Sequence, residues 1–252
     1  MTRITILSTI NLKTSNKKAV AFLRREGCDN LFLDFPRDQE KHIRSLALGI
    51  PPQEVIQRLR DEGLIREPED TQRYRAAEPL FDYLPHMSPE TGIYCFGDPV
   101  YHRASGRMMG EILVLTWRSK LMGIKIDEWV RALGEELRLR VGCAEREAEA
   151  IAARARGASV CVGASEDIGS HLEERGFRVE FVELDRSYSP LDVLRGKMWE
   201  AMLSGDEVPD ETVEKLVRYH IKFTDLIMSS HTFEEAYRRW VEKYSREIDE
   251  TK

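Results

Sequence analysis

Five short apolar runs are spread through the first 183 residues: Ile4–Leu7, Leu31–Leu33, Ile93–Phe96, Val160–Val162 and Val179–Val182. Four of them are near-continuous, as strands of a parallel sheet covered on both faces are; the fifth, Val179-Glu180-Phe181-Val182, alternates. Between the runs the apolar period changes to that of helices. Ala19, Val20, Phe22 and Leu23 form one face of a helix over Lys17–Glu26 that stops at Gly27. The order up to residue 36 is therefore β-α-β, a unit almost always built as a crossover between parallel strands.

Helices over 37–48, 51–61 and 71–84 separate the second strand from the third. A long helical stretch over 101–156, interrupted near Gly123 and at Val141-Gly142, leads to the fourth strand, and a helix over 166–174 leads to the fifth. From Pro190 onward the pattern is helical only, over 190–203, 210–229 and 232–247. The chain is thus expected to be an α/β protein of about five mostly parallel strands flanked by helices. A helical insertion (about 37–90) follows strand 2, and the C-terminal tail is all helical. The predicted division is an α/β domain over 1–188 and a helical extension over 189–252.

Length and composition agree with this: 252 residues, 42% hydrophobic and 33% charged, suit a folded core. A net charge of −6 argues against generic nucleic-acid binding, which needs a basic face. The four cysteines, Cys28, Cys95, Cys143 and Cys161, form no CxxC and read as free thiols of a cytoplasmic protein. The first residues are too short an apolar stretch for a signal sequence or a membrane span.

Ligands of parallel sheets bind beyond the C-terminal ends of the strands. Those ends here are Ser8-Thr9-Ile10-Asn11, Asp34-Phe35-Pro36, Gly97-Asp98-Pro99 and Gly163-Ala164-Ser165-Glu166-Asp167. Their acids could hold a hard cation, do acid–base work, or simply cap the next helix. His102 is the one histidine close to such an end. GxGxxG, P-loop, GxSxG, HxH and HExxH patterns are all absent. In the stretch 143–152, Glu145 and Glu149 share one helix face, and Arg146 could reach the strand ends to pair with a carboxylate or an anionic ligand.

In this order, the pieces resemble the superfamily of the TraB/PrgY, ChaN/erythromycin-esterase and Tiki/GumN proteins. Ser8-Thr9-Ile10-Asn11 and Gly163-Ala164-Ser165-Glu166 stand where that superfamily has its two GxxH motifs. Leu33-Asp34-Phe35 stands for its acidic strand end, and Glu145-Arg146 with Ala152-Ala153-Arg154 for its Glu-Arg helix. Ile168 and Leu172 continue the last helix, and the likeness covers residues 4–183. Asn11 and Glu166 occupy the places of both motif histidines, on which the superfamily's metal-dependent hydrolysis depends.

The resemblance therefore implies a cleft that binds a small charged ligand or a partner without histidine–metal chemistry. Ser8, Asn11, Asp98, His102 and Gly163 would line it. A second reading is a modified hydrolase using Glu166, Asp34 and Arg146, whose carboxylates would shift metal preference to Mg²⁺ or Mn²⁺. A third is a nucleotide sensor whose opening β-loop-α cradles a phosphate. The tail helices are a candidate homodimer interface, and a pure interaction protein would expose an apolar patch around Trp199 or Trp240.

Overall fold

Leu33 pairs with Val162, and this register between the second and fourth strands fixes the centre of the molecule. The computed structural model describes residues 2–65, 71–186 and 188–249. Its strands are β1 (Arg3–Ser8), β2 (Asn30–Pro36), β3 (Gly92–Gly97), β4 (Ala158–Val162) and β5 (Arg178–Glu183). They form one sheet in the order β3-β2-β4-β1-β5, and every pairing is parallel. The helices are α1 (Lys13–Glu26), α2 (Glu40–Ala47), α3 (Pro52–Asp61), α4 (Thr71–Tyr83), α5 (Pro99–Met122), α6 (Ile126–Ala152), α7 (Glu166–Glu174), α8 (Pro190–Ser204), α9 (Asp210–Ser229) and α10 (Phe233–Asp249).

Side chains alternate across the sheet as a period of two requires. Leu7, Leu31, Leu33, Ile93, Cys95, Val160 and Val162 pack with apolar residues of α1–α4. Ile4, Ile6, Phe32, Phe96 and Cys161 pack with Ala144, Ala148 and Ile151 of α6 and Ile168 and Leu172 of α7. Hence the chain leaves β1 and β2 toward one face, and β3 and β4 toward the other. Glu40 covers the free edge of β3 by accepting the Cys95 N–H at 3.0 Å, and Arg154 clamps the same carboxylate. A charged side chain on an edge strand blocks further pairing.

Some details differ from the sequence pattern, among them the end of the long helical stretch, at Ala152 rather than 156. Helix α1 begins at Lys13, four residues before the predicted start, because polar Ser15 and Asn16 are buried within it. Ser15 accepts the Ile10 N–H, and the Asn16 amide donates to the carbonyls of Leu12 and Ala76. Helix α6 also runs unbroken through Val141-Gly142. Gly142 costs such a helix only about 1 kcal/mol in propensity.

The chain forms two compact units: residues 1–104 with 140–186, and 105–139 with 187–252. The stretch Ser105–Leu139 thus belongs with the C-terminal helices. In this second unit Trp129 is fully buried and donates to Ser119 Oγ at 2.9 Å. Tyr219 packs edge-on against Trp240 and Phe223 edge-on against Tyr237, while the Tyr219–Tyr244 and Phe223–Trp240 pairs between α9 and α10 are tilted. Trp240 is completely buried and donates to the Tyr188 carbonyl, so it forms no part of the exposed patch that a pure interaction protein would carry there. No helix among the described residues is long and apolar enough to cross a membrane.

Candidate functional site

Strands β2 and β4 are neighbours whose following helices lie on opposite faces. This is a topological switch point, and it opens a crevice at the C-terminal edge of the sheet. Asp34 and Gly163 sit there side by side, one residue beyond the Leu33–Val162 pair. Gly163 has φ +86°, and a Cβ on it would lie 3.0 Å from the Asp34 Cβ, so both conformation and space call for glycine. One extra residue in β2 between Leu33 and Pro36 makes a bulge at Asp34, a device that re-aims a side chain at a sheet edge.

Asp34 is surrounded by basic side chains. Arg73, from the first turn of α4, donates to the Asp34 carbonyl at 3.0 Å and approaches its carboxylate at 3.9 Å. His102 Nε2 lies 3.7 Å from Oδ1. The same Arg73 nitrogen is 3.0 and 3.2 Å from the two nitrogens of His102. Burial pushes the Asp34 pKa up, but Arg73, His102 and Arg140 outweigh it and hold the carboxyl well below the usual range. Gly97 makes room for His102: a Cβ there would stand 2.6 Å from Nε2 and 2.8 Å from the Phe35 carbonyl oxygen.

A second layer lies at the end of β3. Asp98 caps α5, its Oδ1 accepting the N–H groups of Val100 and Tyr101 at 2.8 and 3.0 Å. Its Oδ2 takes Arg146 Nε at 2.7 Å, with Arg37 3.6 Å away. Burial opposes this charge, and the Arg146 bond with the two amides overcomes it, leaving the Asp98 pKa lowered. Glu147 of α6 is fully buried and accepts the Asp98 N–H at 3.0 Å. Its other oxygen meets Arg140 at 2.9 Å, an ion pair without hydrogen-bond alignment. Burial raises the Glu147 pKa against the pull of Arg140. Arg140 also reaches the Ser165 hydroxyl at 3.3 Å and lies over the Tyr101 ring.

At significant similarity the chain matches no family model, no curated protein and no solved structure. The site therefore rests on its own geometry.

Of the residues singled out in the sequence, Asp34, Gly163 and His102 meet at the crevice, and Asp98 and Arg146 pair beside it. Ser8 ends β1, where its carbonyl accepts the Leu184 N–H. Asn11 and Glu166 are exposed. Glu166 opens α7, where a carboxylate suits the helix dipole, and its carbonyl accepts the Ser170 hydroxyl.

Sequence reasoning missed Arg73, Arg140 and Glu147. Glu147 left a signal: it stands three and four residues from Ala144, Cys143 and Ile151, so it lies on the apolar stripe of α6 rather than on the Glu145–Glu149 face. A charge in that stripe must find a buried partner. Arg73 and Arg140 left none, since both come to the crevice from helices distant in the chain.

Proposed function

We propose that the first unit is a TraB/ChaN-like domain that binds a small anion bearing two or more negative charges in the crevice between β2 and β4. One observation carries this reading: the acids of the site are mostly underneath and the bases on top. Side chains of Asp98 and Glu147 are 3% and 0% exposed, while Arg37 and Arg146 above them are 40% and 48% exposed. Arg73 and Arg140 are also partly open to solvent. Guanidinium groups fixed from below by carboxylates present planar forks suited to carboxylate or phosphate oxygens; Arg146, whose three nitrogens also bond Asp98, the Gly142 carbonyl and Cys143 Sγ, would offer its remaining N–H groups.

The donor set does not suit Mg²⁺ or Mn²⁺. Asp34, the accessible acid of the crevice, already faces Arg73 and Arg140, and these guanidinium groups repel a dication. A hydrolytic reading draws support from one contact, that of His102 with ionised Asp34, which would orient the imidazole as a proton acceptor. In that case Asp34 and His102, rather than Glu166 and Arg146, are the pair to test.

Thermal unfolding with a ligand panel tests the proposal. Phosphate, pyrophosphate, nucleotides, dicarboxylates and tricarboxylates are compared with MgCl₂ and MnCl₂. One anion class should raise Tm, with about 2.7 kcal/mol gained at a concentration one hundred times Kd. Arg73→Ala should remove that gain. Stabilisation by the metals alone, or by no anion, would overturn the proposal.

A further inference from the structure

A groove of about 760 Å³ lies beside the free edge of β3, at the end of that strand away from the crevice. Its volume is that of small-molecule sites. Helix α2 forms one wall and the segment between α4 and β3 the other, and none of the crevice residues lines it. The floor is aliphatic. Leu84 and Ile93 are buried there, with Ala47 and Met87 half-buried beside them. At the mouth Leu48 is 85% exposed, a large apolar side chain left uncovered by its own chain.

Lys41 and Arg44 stand at the same mouth, both exposed and one helical turn apart. Among the described residues neither has a counter-ion or a ring contact. For Arg44 this departs from the rest of the chain. Arg58 and Arg218 each pair with the glutamate four residues before them. Arg44 has Glu40 at that spacing, but Glu40 is turned away to the Cys95 N–H and to Arg154. A guanidinium and an ammonium group thus remain without a partner beside an apolar surface.

The geometry points to a binding site for one aliphatic carboxylate, its head on Lys41 and Arg44 and its chain over Leu84, Ile93 and Met87. The two cations select an anionic head. The floor selects an apolar body, because an inorganic anion would leave that surface in water. Among the described residues no aromatic side chain lines the groove, so a flat ring finds nothing to stack on. The strand edge excludes an extended peptide. The Gly92 N–H turns inward to the Asp29 carbonyl and the Cys95 N–H outward to Glu40, so the Ile93 N–H also points outward. One free residue ahead of the Glu40 block is too little for an added strand.

Calorimetric titration of the full chain with octanoate, decanoate and dodecanoate, each kept below its micelle-forming concentration, tests this. They should bind at one site per chain, with affinity rising up to about fourfold for every methylene that the groove buries. Acetate, a head without a body, and decyltrimethylammonium, a body with the opposite charge, should not bind. Lys41→Glu with Arg44→Glu reverses two exposed charges. This variant should melt like the parent and lose about tenfold or more in decanoate affinity. Lys41→Gln with Arg44→Gln should lose affinity too, and guards against misfolding of the first variant. Arg73→Ala, in the crevice, should bind decanoate as the parent does. Decanoate binding that survives both rim variants, or that Arg73→Ala removes, overturns the proposal. So does a parent chain that binds none of the carboxylates, including one that binds only vesicles of anionic phospholipid.

Discussion

Arg146 donates from Nε to Oδ2 of Asp98 at 2.7 Å, and that carboxylate simultaneously caps α5 through its other oxygen. One buried acid thus holds the start of a helix and one edge of a half-exposed guanidinium, whose other nitrogens bond the Gly142 carbonyl and Cys143 Sγ. Its backbone N–H, bound to Glu147, ties the same point to α6. The polar end of β3 is structural in its acid and available to a ligand only through its base.

Removing the cap should be felt in stability before binding. Asp98→Ala should lower the unfolding free energy by about 1–3 kcal/mol, from the lost cap and the unpaired buried amides. Asp98→Asn keeps an acceptor for those amides and should cost less. Urea unfolding measures both, and equal losses would show that charge rather than capping dominates.

Arg140 and Glu147 should behave as one unit. Arg140→Met leaves a buried carboxylate without its counter-ion and should cost about 3–5 kcal/mol. Adding Glu147→Gln should recover a large part of that loss, because the amide oxygen still accepts the Asp98 N–H. A double-mutant cycle from urea melts measures the coupling, and additive losses would contradict it.

Gly97→Ala should be destabilising by about 1–3 kcal/mol, since the methyl group has to displace His102 or the Phe35 carbonyl. Moving His102 should also weaken any anion-dependent rise in Tm. A variant that melts and binds like the parent would mean that His102 has no fixed place at the strand end.

His220, in the second unit, sets an acid limit on stability. Its ring accompanies Thr116 at 3.0 Å and Trp129 edge-on, and its Nδ1 is buried without a hydrogen bond. Burial, with a smaller push from Arg195 against the pull of Asp192, lowers its pKa to about 4. The unfolded chain takes up this proton near pH 6.5, whereas the folded chain does so only near 4. Stability should therefore fall as pH drops from about 6.5 to about 4 and level off below, by up to roughly 3 kcal/mol. His220→Leu should remove that slope, read as the difference between the two proteins' unfolding midpoints across pH. Asp34 and Asp98, whose pKa values are lowered, lose their contributions only under stronger acid.

Glu166→Ala should change little: within about 0.5 kcal/mol in stability, as for an exposed helix-start residue, with anion binding intact. Loss of binding, measured by the same thermal assay, would move the site toward α7.

The sequence alone was enough for the five strands, their parallel pairing and nearly all the helices. Apolar period and glycine or proline punctuation are local properties, and they read the same in the chain as in the fold. It also exposed the strand ends at which Asp34, Asp98, His102 and Gly163 stand. Where local pattern misled, a polar residue was buried: Ser15 and Asn16 inside α1, Glu147 in the stripe of α6. Which strand ends become neighbours was decided by the sheet order, in which β4 enters between β1 and β2. That insertion creates the switch point and brings Arg73 and Arg140, from separate helices, onto one carboxylate. Charges act across a few ångströms of space and not along the chain, so only the tertiary structure could choose which acids would be buried and which bases left open.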